Sequence, residues 1–484
     1  MNLKEKLNIE VINVPEPPRG TLKLFDLYSM ALGTVIGAGV ITMIGYAIGY
    51  TGYSSWLAYL AAILFGLIYT APFMFMASTF RLAGGQYSII GHCFNEFFAG
   101  VYAIGMIPAL LCIGIFGSAF GLYMNSLVPS VPVNIWAVGI ILVFYLVNIR
   151  GMEATSKIQN VMFFILVGSL LAFIIFGIPQ IKNPIFDFGG KAFIPNGFWN
   201  GFFPAMVLLS TSCTGYNQLT PNFGKFSRNA TRDIPRAQLL IIPTIILLYV
   251  GTGMVASGVL PLDQIAGKPL TLTAQAIFPG NWYLAFIIGG PIMCLTTTLN
   301  GTMPALSQVL VGAAGSGWLP AIFAKQNKKG IAVVPLTLAA LMGIIPIVLG
   351  FNPSQIILMT TFQGALLGIP LQLAFFNMPR RHPEAWNNSR WHIPNPVYYV
   401  ICTLSFAASL FLIYNSVKRL SSTVITVNVI LVALCVVWAL YRSFNGKVKI
   451  VTSIWPRSFI NDEDFIESKP QVVGEIVLDA VALK

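Results

Sequence analysis

The chain alternates between long apolar stretches and short charged ones, and that alternation limits its fold more than any other feature. Twelve apolar stretches can be marked, at 25–50, 54–79, 97–126, 133–149, 158–180, 198–222, 238–260, 282–311, 331–350, 355–377, 396–416 and 422–441. Each has at least roughly the 17 residues that a membrane-crossing helix needs. Inside hydrocarbon every backbone N–H and C=O must be paired within the protein, so such stretches become helices. The residues are 56% hydrophobic and 9% charged, whereas a soluble domain carries about 25% charge. The short alternating segments of a membrane barrel are absent from the sequence. The expectation is an all-α polytopic membrane protein with twelve transmembrane helices.

The formal net charge of +12 does not point to nucleic acid, because the positive residues follow the spans. With the N-terminus inside, 23 of the 28 Lys and Arg fall in inner segments. They include Lys225, Arg228, Arg232 and Arg236 after the sixth stretch, and Lys325, Lys328 and Lys329 after the eighth. The outer five are Lys182, Lys191, Lys268, Lys418 and Arg419. Cytoplasmic loops are enriched in Lys and Arg in this way, so both termini are expected in the cytoplasm and the protein in the cell membrane. The first twenty residues are polar, with Pro15, Pro17 and Pro18, and lack the apolar core of a cleaved signal. The first span is expected to act as the targeting signal.

Enzyme chemistry finds little support. The six cysteines have no metal-ligand spacing. His92, His382 and His392 sit near inner helix ends, and no Ser/His pair or paired carboxylates stand out. Matches to Asn-x-Ser/Thr at Asn229, Asn300 and Asn387 fall in inner loops or inside a span, and are read as accidental. The expected organisation is an N-terminal segment (1–24), a first five-helix unit (25–181), a second (182–379), two further helices with the preceding loop (380–441), and a tail (442–484). The tail's Asn461-Asp462-Glu463-Asp464 reads as a solvated surface segment.

Two stretches carry breaks. The first reads Gly33-Thr34-Val35-Ile36-Gly37-Ala38-Gly39-Val40-Ile41 at mid-depth. Glycines there weaken a helix and let the backbone open. Open backbone at that depth is tolerated only where protein buries it or a cavity solvates it. Two readings stand: a binding site, or small residues that let two helices pack closely. The sixth stretch reads Ser210-Thr211-Ser212-Cys213-Thr214-Gly215-Tyr216-Asn217-Gln218, dense in hydroxyl, thiol and amide groups. Each such group left unsatisfied in lipid costs several kcal/mol. Hydroxyls can bond back to their own turn, which serves one or two residues more easily than a whole turn. Five spans separate the two breaks, and an odd offset reverses orientation. Two five-helix halves would then be inverted repeats. Paired, interrupted segments in corresponding positions point to a transporter's central site.

Five motifs then fall in order at span boundaries. The first break resembles Gly-x-Ile-Gly-Ser-Gly-Ile, with Ala38 in place of the serine. Gly84-Gly85-Gln86-Tyr87 resembles a Gly-Gly-x-Tyr start to the third helix. Arg228-Asn229-Ala230-Thr231-Arg232-Asp233-Ile234-Pro235-Arg236-Ala237 resembles Lys-Asn-Pro-x-Arg-x-Ile-Pro-x-Ala. Gly317-Trp318-Leu319-Pro320 resembles Asp-Gly-x-Leu-Pro, and the Arg380–Pro383 and Arg390–Pro394 segments resemble an Arg-rich, proline-bearing loop. Over residues 25–395 the chain is similar to the amino acid–polyamine–organocation superfamily of permeases. That resemblance implies the leucine-transporter fold, five plus five inverted helices with two more at the end. Four positions depart from the pattern. Cys213-Thr214 replaces an aromatic before Gly215, Asn217-Gln218 an acid after it, Lys225-Phe226 an acidic pair, and Gln308 an arginine.

A free amino acid is a zwitterion, and burying either charge unpaired costs many kcal/mol. No Lys or Arg falls at mid-membrane, so half-helix ends are the alternative. An N-terminus presents N–H groups and about half a positive charge, and a C-terminus presents carbonyls. The carboxylate is assigned to the backbone around Gly37, Ala38 and Gly39. The ammonium is assigned to carbonyls near Ile36 and from Ser210 through Thr211 and Ser212 to Cys213. Cys213, Thr214 and Gly215 leave room for a substrate side chain, and Asn217 and Gln218 are placed to read a polar substituent. The missing central carboxylate disfavours a cationic solute. Glu96, the one interior acid, begins the third helix, where surface pairing is expected.

The expectation is therefore a secondary permease for a neutral amino acid, not an enzyme. An exchanger, a polyamine or organic-cation transporter, and a non-transporting amino-acid sensor are the alternatives. The coupling ion stays open between Na+ and H+. Cys294, Thr297 and Thr298 share a helix face by their i, i+3, i+4 spacing, and form a candidate sodium site together with carbonyls of the first break. Threonines in such helices also bond their own backbone. The fifth-helix lysine of some proton-linked relatives is missing, with Ile165 or Leu166 in its place. No cofactor is expected beyond the ion. The partners are the amino acid and the lipid bilayer, with no nucleic acid; protein partners are left open.

The charge map predicts that labels placed in the Lys225–Arg236 loop and in the Lys182–Lys191 loop react from opposite sides of the membrane. Labelling of both from one side would contradict the span map.

Overall fold

The computed structural model describes residues 10–12, 20–37, 39–210, 212–350, 353–417, 420–445, 448–451 and 453–456. Ala38, Thr211 and the acidic stretch 461–464 lie outside them. Helix forms at each of the twelve apolar stretches. The first is split into Leu24–Val35 and Ile44–Thr51, with a wide π-helical turn at Gly39–Met43 between them. The second is Ser55–Thr79 and the third Glu96–Leu127. The fourth is Val133–Ile149 and the fifth Met152–Gly177. The sixth is split, its first part ending in Phe203–Ser210 and its second running through Gly215–Gln218 and Leu219–Phe223. Ala230–Gly258, Asn281–Gly315 and Val333–Val348 follow as the seventh to ninth. Pro353–Arg381, Asn395–Val417 and Ser422–Phe444 complete the series. Among the described residues seven stretches are long and apolar enough to cross a membrane outright. Leu24–Val35, Val133–Ile149 and Val333–Val348 are apolar but shorter.

The Gly-Gly motif does not open the third helix itself. Gly85, at φ 69°, turns the chain into a separate short helix, Gln86–Cys93. The third helix then starts at Asn95, whose side chain accepts from the N–H groups of Phe97 and Phe98. This N-cap satisfies donors that a helix start leaves unpaired. Glu96, in that first turn, is buried at 3% exposure, not at the surface as expected.

The first half of the first helix is the centre of the bundle. Leu24–Val35 packs on the fifth, seventh and eighth helices, and Leu27, Met30, Ala31 and Leu32 are fully buried. The outer faces are apolar instead: Val161, Phe164 and Ile175 on the fifth helix are each 62% exposed. An apolar surface of this kind is stable only against lipid or another protein. Between the helices, polar side chains are paired with one another. Asn160 Nδ2 donates to Asp26 (2.8 Å) and Ser29 Oγ to Asn160. Gln159 Nε2 donates to the Ser29 carbonyl (3.3 Å), and Asn300 Nδ2 to Gln159 Oε1 (2.8 Å) and the Thr155 carbonyl (3.1 Å). These bonds tie the first, fifth and eighth helices together, and they bury the Asn300 sequon.

Four short strands lie at one end of the bundle. β1 (Glu10–Ile12) pairs in parallel with β3 (Lys449–Val451). β2 (Phe80–Leu82) pairs antiparallel with β4 (Ile454–Pro456). The twelfth helix runs on to Phe444, so part of the tail that reads as polar is ordered structure.

Replacing Asn300 with alanine leaves the buried Gln159 Oε1 without that donor, a loss of about 1–3 kcal/mol. The thermal midpoint of the variant in detergent is expected to fall. An unchanged midpoint would remove this lattice as a source of stability.

Candidate functional site

The first helix ends because three small residues follow it. The Ile36 N–H still donates to the Leu32 carbonyl (2.8 Å), but Ile36 itself, at ψ 88°, has left the helix. The Gly37 N–H turns back to the Val35 carbonyl (2.9 Å), and the Val40 N–H donates to the Gly37 carbonyl (3.3 Å). Helical structure restarts at Gly39. Its first N–H groups are the orphan donors of any helix start, at the positive end of a helix dipole.

The sixth helix unwinds in tight turns. The Ser212 N–H donates to the Leu209 carbonyl (3.0 Å), and the Cys213 N–H to that of Ser210 (3.1 Å). The Ser210 hydroxyl bonds back to Val207 (2.8 Å) and the Cys213 thiol to Leu209 (3.3 Å). Those two side chains are thus spent on their own helix. The Ser212 hydroxyl reaches the Met43 sulfur at 3.5 Å. Thr34, Ser212, Thr214 and Gly215 keep partial exposure where most neighbours are buried, so they line the space at the crossing.

The two breaks meet backbone to backbone. A Cβ on Gly215 would lie 2.1 Å from the Thr34 carbonyl oxygen, so only glycine fits there. The Thr34 hydroxyl is placed to donate to the Gly215 carbonyl (3.1 Å) or to that of Ala31 (2.8 Å). From the seventh helix, the Tyr249 hydroxyl reaches both breaks, at 2.9 Å from the Val35 carbonyl and 3.3 Å from that of Ser212. Tyr249 is fully buried, and its ring centroid lies 5.2 Å from that of Tyr59. Sequence reasoning missed it. The available signal was a phenol in the middle of an apolar helix, where a buried hydroxyl needs a partner.

The eighth helix closes the first break from the other side. The Thr298 hydroxyl lies 3.0 Å from the Gly33 carbonyl, 3.4 Å from that of Ile36 and 2.9 Å from that of Cys294. The Thr297 hydroxyl also lies 2.9 Å from the Cys294 carbonyl, and the Cys294 thiol donates to Ile36 (3.3 Å). Three carbonyls and two hydroxyls therefore converge without a charged group among them. That is a donor set for a small hard cation. Both threonine hydroxyls bond the Cys294 carbonyl of their own helix as well.

Other expected residues fall elsewhere. Gln218 Oε1 accepts from Gln86 Nε2 (2.8 Å) and from Asn222 Nδ2 (3.0 Å), so that amide is committed to packing. Leu166 is buried and Ile165 is 44% exposed on the outer surface of the fifth helix. From that helix Gln159 stands beside Gly33 of the first, its Nε2 1.9 Å from where a Cβ on Gly33 would be. Lys225, beyond the end of the sixth helix, holds its ammonium 4.7 Å over the Phe226 ring. Burial pulls its pKa down to about 8.

Residues 22–441 match a family model described as amino acid permease. The branched-chain amino acid permease BcaP of Lactococcus lactis subsp. cremoris is 23% identical over 423 residues, covering 81% of this chain and 88% of that protein. The methylthioribose transporter of Bacillus subtilis is 24% identical over 399 residues, covering 75% and 82%. The chloroplastic cationic amino acid transporter 7 of Arabidopsis thaliana is 24% identical over 420 residues, covering 82% and 70%. The names of these three relatives carry three different solutes at nearly equal identity, so identity at this level does not select among them.

Replacing Tyr249 with phenylalanine keeps the ring and removes one bond shared by the two breaks, worth about 0.5–1.5 kcal/mol. Ligand affinity is expected to fall about threefold to tenfold, since 1.4 kcal/mol is a factor of ten. Full affinity in Tyr249→Phe would show that the phenol does not position the breaks.

Proposed function

The chain belongs to the amino acid permease family, and we propose that it is a secondary transporter of a neutral amino acid. Alternating access would work around the crossing of the first and sixth helices. The observation that carries this reading is the contact of Gly215 with Thr34, which brings two interrupted helices together by their backbones. In such sites half-helix N-termini face anionic groups of the substrate and unwound carbonyls face cations. The substrate carboxylate then binds the N–H groups that begin at Gly39 and those around Gly37 and Ala38. The ammonium binds carbonyls of the Ser210–Cys213 turn. Ile36 contributes less to the ammonium, because its carbonyl faces Cys294 and Thr298.

An aliphatic side chain suits the rest of the space. The Met43 sulfur, 3.5 Å from the Ser212 hydroxyl, borders it. One relative's name specifies branched-chain amino acids, which makes leucine the first solute to try. A cationic solute is the second reading, on the strength of another relative's name. It is disfavoured because Glu96 sits in the first turn of the third helix, away from the turn at Ser210–Cys213 in the sequence of the fold.

Under this reading the twelve helices are twelve crossings with both termini in the cytoplasm. Residues 25–181 and 182–379 form the inverted repeats, and 380–441 the two added helices. Sodium is the coupling ion the oxygen set favours. It would be held by the carbonyls of Gly33, Ile36 and Cys294 with the hydroxyls of Thr297 and Thr298, which touches the substrate break at Ile36. Binding of ion and substrate would then be linked, each raising the affinity of the other by the same factor.

Uptake of a panel of labelled amino acids into proteoliposomes, under separately imposed sodium and proton gradients, tests this. Neutral aliphatic amino acids are expected to accumulate with the sodium gradient. Thr298→Val, which keeps the shape and removes an oxygen, is expected to weaken sodium and substrate binding together. Uptake indifferent to sodium at fixed pH would contradict the sodium assignment, and uptake confined to cations would contradict the substrate class.

A further inference from the structure

The two helix groups that a transporter of this design moves against each other are joined at one end by the C-terminal segment. The first, second, sixth and seventh helices pack among themselves, and the third, fourth, eighth and ninth form a second group. Secondary transporters of this kind open by rigid-body rocking of one group against the other. Any segment bonded to both groups opposes that motion.

Residues 448–451 and 453–456 bond to both. Toward the first group, β3 pairs with β1, which precedes the first helix, and β4 pairs with β2, which directly follows the second. From β2, Arg81 donates to the carbonyls of Gly224 (3.3 Å) and Lys225 (3.2 Å), just past the end of the sixth helix. The same end is tied to the start of the first helix by the pairing of Leu22 with Ser227. Toward the second group, the Lys449 N–H donates to the Ser316 carbonyl (3.0 Å) at the end of the eighth helix, and the Val451 N–H to its hydroxyl (3.4 Å). The Ser453 hydroxyl donates to that of Ser88 (2.7 Å), and the Ser453 N–H to His92 Nε2 (3.3 Å). Ser88 and His92 belong to the short helix that leads into the third.

We propose that residues 448–451 and 453–456 form an inner latch. The latch holds the site closed toward the side of the protein where the termini lie, and must let go of one group for that side to open. The tail is then a regulatory element of the transport cycle. This rests on the transporter reading for its cycle, but the latch itself is read from accessibility.

The test is a reversible cross-link. The hydroxyls of Ser88 and Ser453 lie 2.7 Å apart, so Ser88→Cys with Ser453→Cys brings two sulfurs within disulfide reach. The full chain is oxidised in membrane vesicles and treated, from the side of the tail, with an impermeant maleimide. Alkylation of Cys213, which is fully buried beside the sixth-helix break, is followed by peptide mass spectrometry. Oxidation is expected to slow alkylation about tenfold, as a shift between two conformations does, and reductant to restore it. Leucine uptake is expected to follow the same reversible change. The converse variant, Val451→Pro, removes a latch N–H and is expected to speed alkylation several-fold. Equal alkylation before and after verified cross-linking would overturn the latch. Absence of amino acid uptake in the reduced protein would count against the proposed function instead, while the alkylation comparison still decides the latch.

Discussion

A peptide group that leaves its helix inside an apolar bundle must find a partner, and here two such segments find each other. The approach of Gly215 to Thr34 is possible because Gly215 has no Cβ to meet the Thr34 carbonyl at 2.1 Å. Everything around the crossing follows from keeping the remaining carbonyls satisfied. Tyr249 reaches Val35 and Ser212. Thr298 reaches Gly33 and Ile36, and Cys294 reaches Ile36. The seventh and eighth helices thereby hold the break open rather than letting it rewind. Neutral groups perform all of this, so no buried charge waits for a partner when the space is empty. Burying such a charge unpaired would cost far more than leaving a hydroxyl bonded to its own helix.

How much of this was legible depends on whether a feature has a local signature. The positions of the helices follow from apolar length, and the two breaks from glycine and from a run of polar residues at mid-depth. The Cys294–Thr298 face follows from helical spacing alone. Tyr249 was not legible, because one hydroxyl in an apolar helix does not say which carbonyl it meets across the bundle. Gln218 was read as facing a ligand and instead serves Gln86 and Asn222; its helix could be placed from sequence, but not which way it is turned. The strand pairs were invisible for another reason. Three-residue strands are too short to show alternation, and their partners lie hundreds of residues away. The short helix at Gln86–Cys93 was hidden inside a motif that resembles the start of a span.

The polar lattice and the latch place a constraint on motion. The first half of the first helix is bonded to the fifth and eighth through Asp26, Ser29, Gln159, Asn160 and Asn300. The preceding segment is bonded to the end of the sixth at Leu22 and Ser227. In the proposed cycle, opening on that side would exchange these bonds for water, and each net hydrogen bond is worth only about 0.5–1.5 kcal/mol. A set of modest bonds, distributed over several elements, suits a gate that must open as well as close.

The central claim is that paired helix ends recognise both charges of a zwitterion. Equilibrium binding to the purified protein measures it directly, comparing leucine with the amine that lacks its carboxylate and with the acid that lacks its ammonium. The account predicts that each analogue binds about a hundredfold more weakly or worse, because a site built to bond a polar group is left unpaired without it. An analogue that binds as tightly as leucine would contradict it, since one of the two helix ends would then be idle.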